Sequence, residues 1–197
     1  MSAPAVLAPG FADPVRDAQA AFRAVLEAMS RPGRVQRLPA AGLRAPAPLG
    51  PAAASVLLTL ADAATPVWTD AGPDASRWLA FHAGCPLAAS PGDAVFVLAC
   101  GAPPPLEALA RGTDEEPHLG ATLVAQVGAL EAGGRCGWRL TGPGIEAEHR
   151  LRASGLPDGF AAQWRANRAA FPRGVDVVFC AGSDLAALPR TTLIEEG

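Results

Sequence analysis

The stretch from Gly120 to Ile145, GATLVAQVGALEAGGRCGWRLTGPGI, constrains the fold more than any other part of the chain, because alternation, turn chemistry and a Gly-Pro-Gly loop coincide in it. Segments of alternating polarity flank Gly133-Gly134, and a two-residue primed turn needs φ > 0, which glycine adopts without steric cost. Read as a hairpin, the stretch sets Val127 opposite Leu140 and Ala129 opposite Trp138 on one face, with Gln126 opposite Thr141 and Gly128 opposite Arg139 on the other. A slip of one residue would carry Arg139 into the apolar row, so burial and turn specify the same register. A sheet with an apolar face needs a covering layer, and helical patterns at both ends of the chain supply it.

The first of these follows Asp13-Pro14, an aspartate at the N-cap with proline at the first helical position. Val15, Ala18, Phe22, Val25, Leu26 and Met29 recur at three- and four-residue spacing with Arg16, Arg23 and Glu27 elsewhere, which predicts an amphipathic helix with that stripe towards the core, ended by Pro32-Gly33. A short strand over Arg34 to Leu38 is expected next, then a long surface connection over residues 39–51. Ala52 to Ala61 is apolar almost all round and predicts a buried helix, and Asp62 at its end reads either as a polar group at the mouth of a cleft or as a turn residue before a strand from Pro66 to Thr69. Asp74 is expected to cap a short helix carrying Trp78, Leu79 and His82. AVFVLAC, from Ala94 to Cys100, predicts a strand covered on both faces, and Leu106 and Leu109 a short helix. Pro157 to Ala170 predicts a helix with Phe160 and Trp164 inward and Arg165 and Arg168 outward, followed by a second apolar strand from Val175 to Cys180 that carries Asp176. Strands alternating with helices predict an α/β sandwich with a mixed β-sheet: one domain over residues 1–197, with 1–10 as a flexible tail.

Charge and composition exclude several function classes. The net charge is -3, and no block of like charge is longer than Asp114-Glu115-Glu116, so neither nucleic acid nor an acidic membrane is an expected partner. No apolar run approaches the roughly 18 residues of a span. The start, MSAPAVLAPG, lacks a basic region, so a cytoplasmic location is expected. Cys85, Cys100, Cys136 and Cys180 lie far apart in apolar segments, which predicts free thiols and neither an iron–sulfur nor a zinc site. The chain has no lysine: all 16 basic residues are arginine. That excludes a Walker A phosphate loop, a Schiff base to pyridoxal phosphate and a lysine general base, and no cofactor is expected.

What remains are candidate contacts for an anion or a partner. Gly142 and Gly144 permit a close backbone approach, to a strand or to an anion. Arg190, followed by Thr191 and Thr192, combines a guanidinium fork with two hydroxyls and suits an anion, a subunit contact or an exposed strand edge. Arg165, Arg168 and Asp176 complete the set. His82 reads as a packing residue, and His118 beside loop acids lacks metal-ligand spacing. A thiol nucleophile, Cys136 or Cys180 with His149, is disfavoured because an apolar setting raises a thiol pKa. No self-contained active site is legible, and no catalytic or metal residue is assigned.

Six segments in order, DPVRDAQAAFRAVLEAMSRPG, SVLLTLADAATPVW, the GT-x3-P-x2-GATL segment from Gly112 to Leu123, LTGPGI, FPRGVD and LPRTT, make the chain resemble the PhnH family, the H subunit of the bacterial carbon-phosphorus lyase core complex. The resemblance runs nearly end to end; the stretches from Pro39 to Pro51 and from Ala102 to Pro105 fall outside it. It implies a three-layer fold like the large domain of pyridoxal-phosphate-dependent transferases without the cofactor, a homodimer, and assembly with the G, I and J subunits. It also implies a part in phosphonate catabolism, in which methylphosphonate replaces the adenine of ATP, with the chemistry itself placed in the I and J subunits. Two readings follow: a scaffold subunit, or a nucleotide- or phosphonate-binding subunit with an arginine- and glycine-lined anion site.

Overall fold

The computed structural model describes residues 8–38, 42–134 and 137–196. Helix α1 (Pro14–Ser30) begins as expected: the Asp13 side chain accepts from the Arg16 backbone N–H at 3.1 Å, and Asp17 returns the favour to the Asp13 N–H at 3.0 Å. Strand β1 (Gln36–Arg37), helix α2 (Pro51–Leu60), strand β2 (Val67–Thr69), helix α3 (Gly72–His82) and strand β3 (Phe96–Ala99) follow. Asp74 is not the cap of α3: the helix starts earlier, at Gly72-Pro73, and Asp74 lies in its first turn paired with Arg77. Leu106 sits in a single 3-10 turn that ends at Ala108, because Leu109 already has extended backbone.

Then come β4 (Thr122–Gln126), β5 (Leu130–Ala132), β6 (Trp138–Thr141), β7 (His149–Ala153), α4 (Phe160–Ala169), β8 (Asp176–Ala181), β9 (Asp184–Leu188) and β10 (Leu193–Glu196). Six strands form one sheet in the order β1-β9-β8-β4-β3-β2, with β2, β3, β4 and β8 parallel and β8-β9 and β9-β1 antiparallel. The sheet is therefore mixed, as expected. Its central strands alternate with period two: Leu98, Val124, Val178, Leu185 and Ala187 face the layer of α1, α2 and α3. Val97, Ala99, Leu123, Ala125, Val177, Phe179 and Leu188 face the other way, into a second core.

That second core corrects the hairpin. Gly133 and Gly134 do have positive φ, 78° and 82°, but the segments beside them do not pair with each other. Residues 122–126 are a central strand of the large sheet, while β5 and β6 both pair antiparallel with β7, on opposite sides of it, in a second sheet ordered β10-β6-β7-β5. Trp138 faces Leu151 instead of Ala129, and Val127 donates to the Cys180 carbonyl. The physical reason lies in what each strand buries. Leu123, Val124 and Ala125 are all inaccessible, on two faces, whereas β7, HRLRA, buries only Leu151 and so carries no apolar periodicity to announce it. The layer opposite α1–α3 is accordingly a small sheet together with α4, and Leu140, Leu151, Ile194, Phe160 and Trp164 fill it.

Helix α1 brings a second correction. Its core side is Ala21, Val25 and Ala28 with Met29 packed beside them, so Val25 and Met29 of the expected stripe face inward while Val15, Phe22 and Leu26 stand in solvent. Small residues let the helix lie close to α2 and β9, leaving no room for Phe22 beneath it. In the connection over residues 39–51, positions 39–41 lie outside the described residues; Leu49 is buried and Pro51 already belongs to α2. Residues 1–7 of the expected tail also lie outside the described residues. Ala8 is held, its carbonyl accepting from the Trp78 indole at 2.7 Å.

Candidate functional site

Of the candidate residues, Asp176, Arg190, Thr191, Thr192 and Gly142 are brought to one place, and the place is a structural joint. Asp176 opens β8 and Arg190 follows β9, so the β8–β9 hairpin returns the arginine to the carboxylate. Arg190 donates from Nη2 to Asp176 Oδ2 at 2.6 Å and from Nε to both carboxylate oxygens at 3.2 Å; its backbone N–H adds a bond to Asp176 Oδ1 at 2.7 Å. Nη1 donates to the Pro117 carbonyl at 2.7 Å, so both ends of the fork are engaged. The two side chains are only 13% and 18% exposed. Around them Gly174 N–H donates to Arg111 O at 2.8 Å, the Asn167 amide exchanges two bonds with the backbone of Val175, and the Trp164 indole donates to Thr192 O at 2.9 Å. Gly120 is required here, because a Cβ would strike the Gly174 carbonyl oxygen and the Arg190 guanidinium. Gly142 lies against the backbone of Thr191 and Thr192. Thr192 is buried, and its hydroxyl has no partner among the described residues.

The other candidates lie apart from this joint. Arg165 is exposed and pairs with Glu196 at 3.7 Å. Arg168 carries a buried Nε without a hydrogen-bond partner among the described residues. Gly144 packs on the last turn of α1, where a Cβ would meet the Ser30 carbonyl oxygen well inside contact distance. It lines a polar recess of about 370 Å³ with Arg31, Arg34, Glu146, Glu148 and His149. His149 Nδ1 is 2.6 Å from the Pro32 carbonyl oxygen, so that nitrogen carries the proton. Nothing local in the sequence marks Arg31 and Arg34 as site residues, because Ser-Arg-Pro-Gly-Arg at a helix end is a stop signal.

The carboxyl ends of the parallel strands, where α/β proteins commonly bind ligands, are taken up by the chain itself. Asp70, just beyond β2, accepts from the backbone N–H groups of Cys100 and Gly101 at 2.7 and 2.9 Å. Gln126 at the end of β4 accepts from Gly50 N–H and donates to Pro48 O at 2.9 Å, which anchors the first turn of α2 over the strand ends. Cys85, Cys100 and Cys180 are free thiols; Cys136 lies outside the described residues. Burial, and secondarily Asp70, pushes the Cys100 thiol up to about 12, and burial drives Cys180 higher still, so neither offers a thiolate to His149. Among the described residues no group of three or more His, Cys, Asp and Glu side chains could hold a metal ion, and no helix is long and apolar enough to cross a membrane.

The joint at Arg190 gathers four of the six segments that carry the resemblance: Pro117 and Gly120, Gly142, Pro172 to Asp176, and Arg190 to Thr192. Comparison with known proteins agrees in extent. The chain is 42% identical over 190 residues, 94% of its own length and 94% of the relative's, to the alpha-D-ribose 1-methylphosphonate 5-triphosphate synthase subunit PhnH of Rhizobium meliloti (strain 1021). It is 39% identical over 185 residues, 89% of this chain and 85% of the relative, to HtxG of Stutzerimonas stutzeri, named as a candidate C-P lyase subunit. Residues 9–195 match the family described as bacterial phosphonate metabolism protein (PhnH), and the chain belongs to that family.

Proposed function

We propose that this chain is a subunit of the carbon-phosphorus lyase core complex and acts in phosphonate catabolism as a scaffold. In that reading the complex transfers the ribose triphosphate moiety of ATP to methylphosphonate with release of adenine, and the G, I and J subunits are its partners. The observation that carries the scaffold role is where the candidate chemistry went. Arg190 and Asp176 satisfy each other, and Asp70 and Gln126 fill the strand ends where a ligand would otherwise sit. A cytoplasmic location and a cofactor-free relative of the pyridoxal-phosphate transferase scaffold belong to the same reading.

The test is reconstitution with the three partner subunits. Conservative changes at His149, Asp70 and Asp176 that leave assembly intact are expected to leave turnover of methylphosphonate within about threefold of the unaltered complex, since only groups that interact more strongly in the transition state change the chemical step. Turnover abolished in an intact complex would instead make this subunit catalytic.

A second reading has its own support. The recess at Gly144 holds Arg31, Arg34 and His149 alongside Glu146 and Glu148, and a guanidinium–phosphate bond contributes about 1.5–3 kcal/mol. If the subunit itself binds ATP or methylphosphonate there, titration of the isolated chain gives saturable heat that Arg34→Ala abolishes. No heat at millimolar ligand removes that reading.

A further inference from the structure

A recess of about 450 Å³ opens between the 3-10 turn at Leu106 and helix α4, a volume within the roughly 300–1,000 Å³ of small-molecule sites. It lies at the amino ends of β4 and β8, the opposite edge of the sheet from the strand ends that Asp70 and Gln126 occupy. There the Ala110 carbonyl accepts from the Ala121 N–H at 2.8 Å and the Arg111 carbonyl from the Gly174 N–H at 2.8 Å, each just ahead of its strand. Those bonds fix one wall. The other is fixed by Asn167, which is buried and commits its amide to Val175, and by Gln163, whose Oε1 accepts from the Leu106 N–H at 3.0 Å. Walls held in this way lose little freedom when a ligand arrives.

The lining carries two opposite charges that do not satisfy each other. Arg111 is half-buried, and its guanidinium has neither an ion-pair nor a hydrogen-bond partner among the described residues. Glu107 stands on the exposed rim and likewise makes no ion pair among the described residues. The Gln163 amide, with its oxygen engaged by Leu106, keeps Nε2 free to donate. Leu106, Ala162 and Ala166 supply an apolar floor, and the two alanines, four apart on α4, keep it open.

We infer that this recess binds a small zwitterion. Its oxyanion, a carboxylate or a phosphonate, is received by Arg111 and Gln163, its ammonium lies at the Glu107 end, and a short carbon chain rests on Leu106 and the alanines. The site is separate from the Gly144 recess and goes beyond the scaffold reading. Charge selects the class: a simple anion is attracted by Arg111 and repelled by Glu107, and a simple cation the reverse. Only a ligand with both ends answers both groups, with a charge-assisted bond at the guanidinium.

Isothermal titration of the purified full chain tests this. The zwitterions are β-alanine and 2-aminoethylphosphonate; propionate and ethylphosphonate are the same bodies without the ammonium. At least one zwitterion is expected to bind with a Kd of about 1 mM or tighter, and about tenfold more tightly than its ammonium-free counterpart. The tighter of the two identifies the oxyanion. Arg111→Gln is expected to weaken binding about tenfold or more, and Ala166→Leu, which fills the floor, to abolish it. Glu107→Gln is expected to erase the advantage of the zwitterion, and circular dichroism to show the same fold in all three variants. Arg34→Ala is expected to leave binding unchanged. No saturable heat from either zwitterion at about 10 mM, binding indifferent to Arg111→Gln, or equal binding of the ammonium-free ligands overturns the inference. So does loss of binding in Arg34→Ala, which would put the ligand in the Gly144 recess.

Discussion

Arg190 illustrates how one side chain supports two opposite readings until its neighbours are known. A guanidinium fork followed by two threonines suits an anion, yet here the fork meets the carboxylate of Asp176 and the carbonyl of Pro117. Sequence separation carries no hint of this, because only the β8–β9 hairpin brings position 190 back to position 176. Removing one partner of a nearly buried pair strands the other, so Arg190→Ala is expected to cost about 3–5 kcal/mol in urea unfolding. Arg190→Lys is expected to recover only part of that, since an ammonium cannot span Asp176 and Pro117 together. The thiols give a prediction with a sign. Cys100 titrates at about 12 when folded against 9.0 for an ordinary thiol, because burial, and then Asp70, penalise the thiolate. The neutral thiol is thus favoured by folding; its contribution is complete below about pH 9 and is lost as the pH rises towards 12. Alkylation at pH 8 is therefore expected to be much slower in the folded chain than in urea.

Among the elements, the start of α1 was legible because capping is local chemistry, whereas Asp74 misplaced the start of α3, which begins at Gly72. Asp13-Pro14 announces the start of α1, and the bond from Arg16 N–H to Asp13 realises it; Asp13→Ala should lower stability by about 1 kcal/mol in the same unfolding measurement. The two buried strands, β3 and β8, were plain as apolar runs bounded by glycine, the second interrupted only by Asp176. Strand β7 was invisible because HRLRA buries one side chain of five. The glycine pair at 133–134 then invited β5 to pair directly with β6, when the strand between them comes from sixteen residues further along. Gly144 shows the same non-local dependence. With φ of 82° and the Ser30 carbonyl against its Cα, Gly144→Ala is expected to lower the melting temperature by several degrees, although nothing in LTGPGI names Ser30 as the obstacle.

At the scale of the whole molecule, a mixed sheet sorts its side chains into two cores. The helical layer closes one of them and a small antiparallel sheet with α4 closes the other. Gln126 tethers the entry to α2 over the strand ends, so Gln126→Ala is expected to loosen Pro48 to Gly50, read as faster amide exchange at Gly50, while leaving the far core unchanged. What the sequence by itself determined was local or compositional: the mixed α/β character, the cap of α1, the buried strands, the exclusion of lysine chemistry, and the family through six segments in order. The tertiary structure decided which face of α1 looks inward, which strand lies between β5 and β6, and that the segments shared with the family converge on Arg190 as a joint. Capping and periodicity are written within a few residues of where they act, whereas burial and ion pairing depend on which distant atoms arrive beside them.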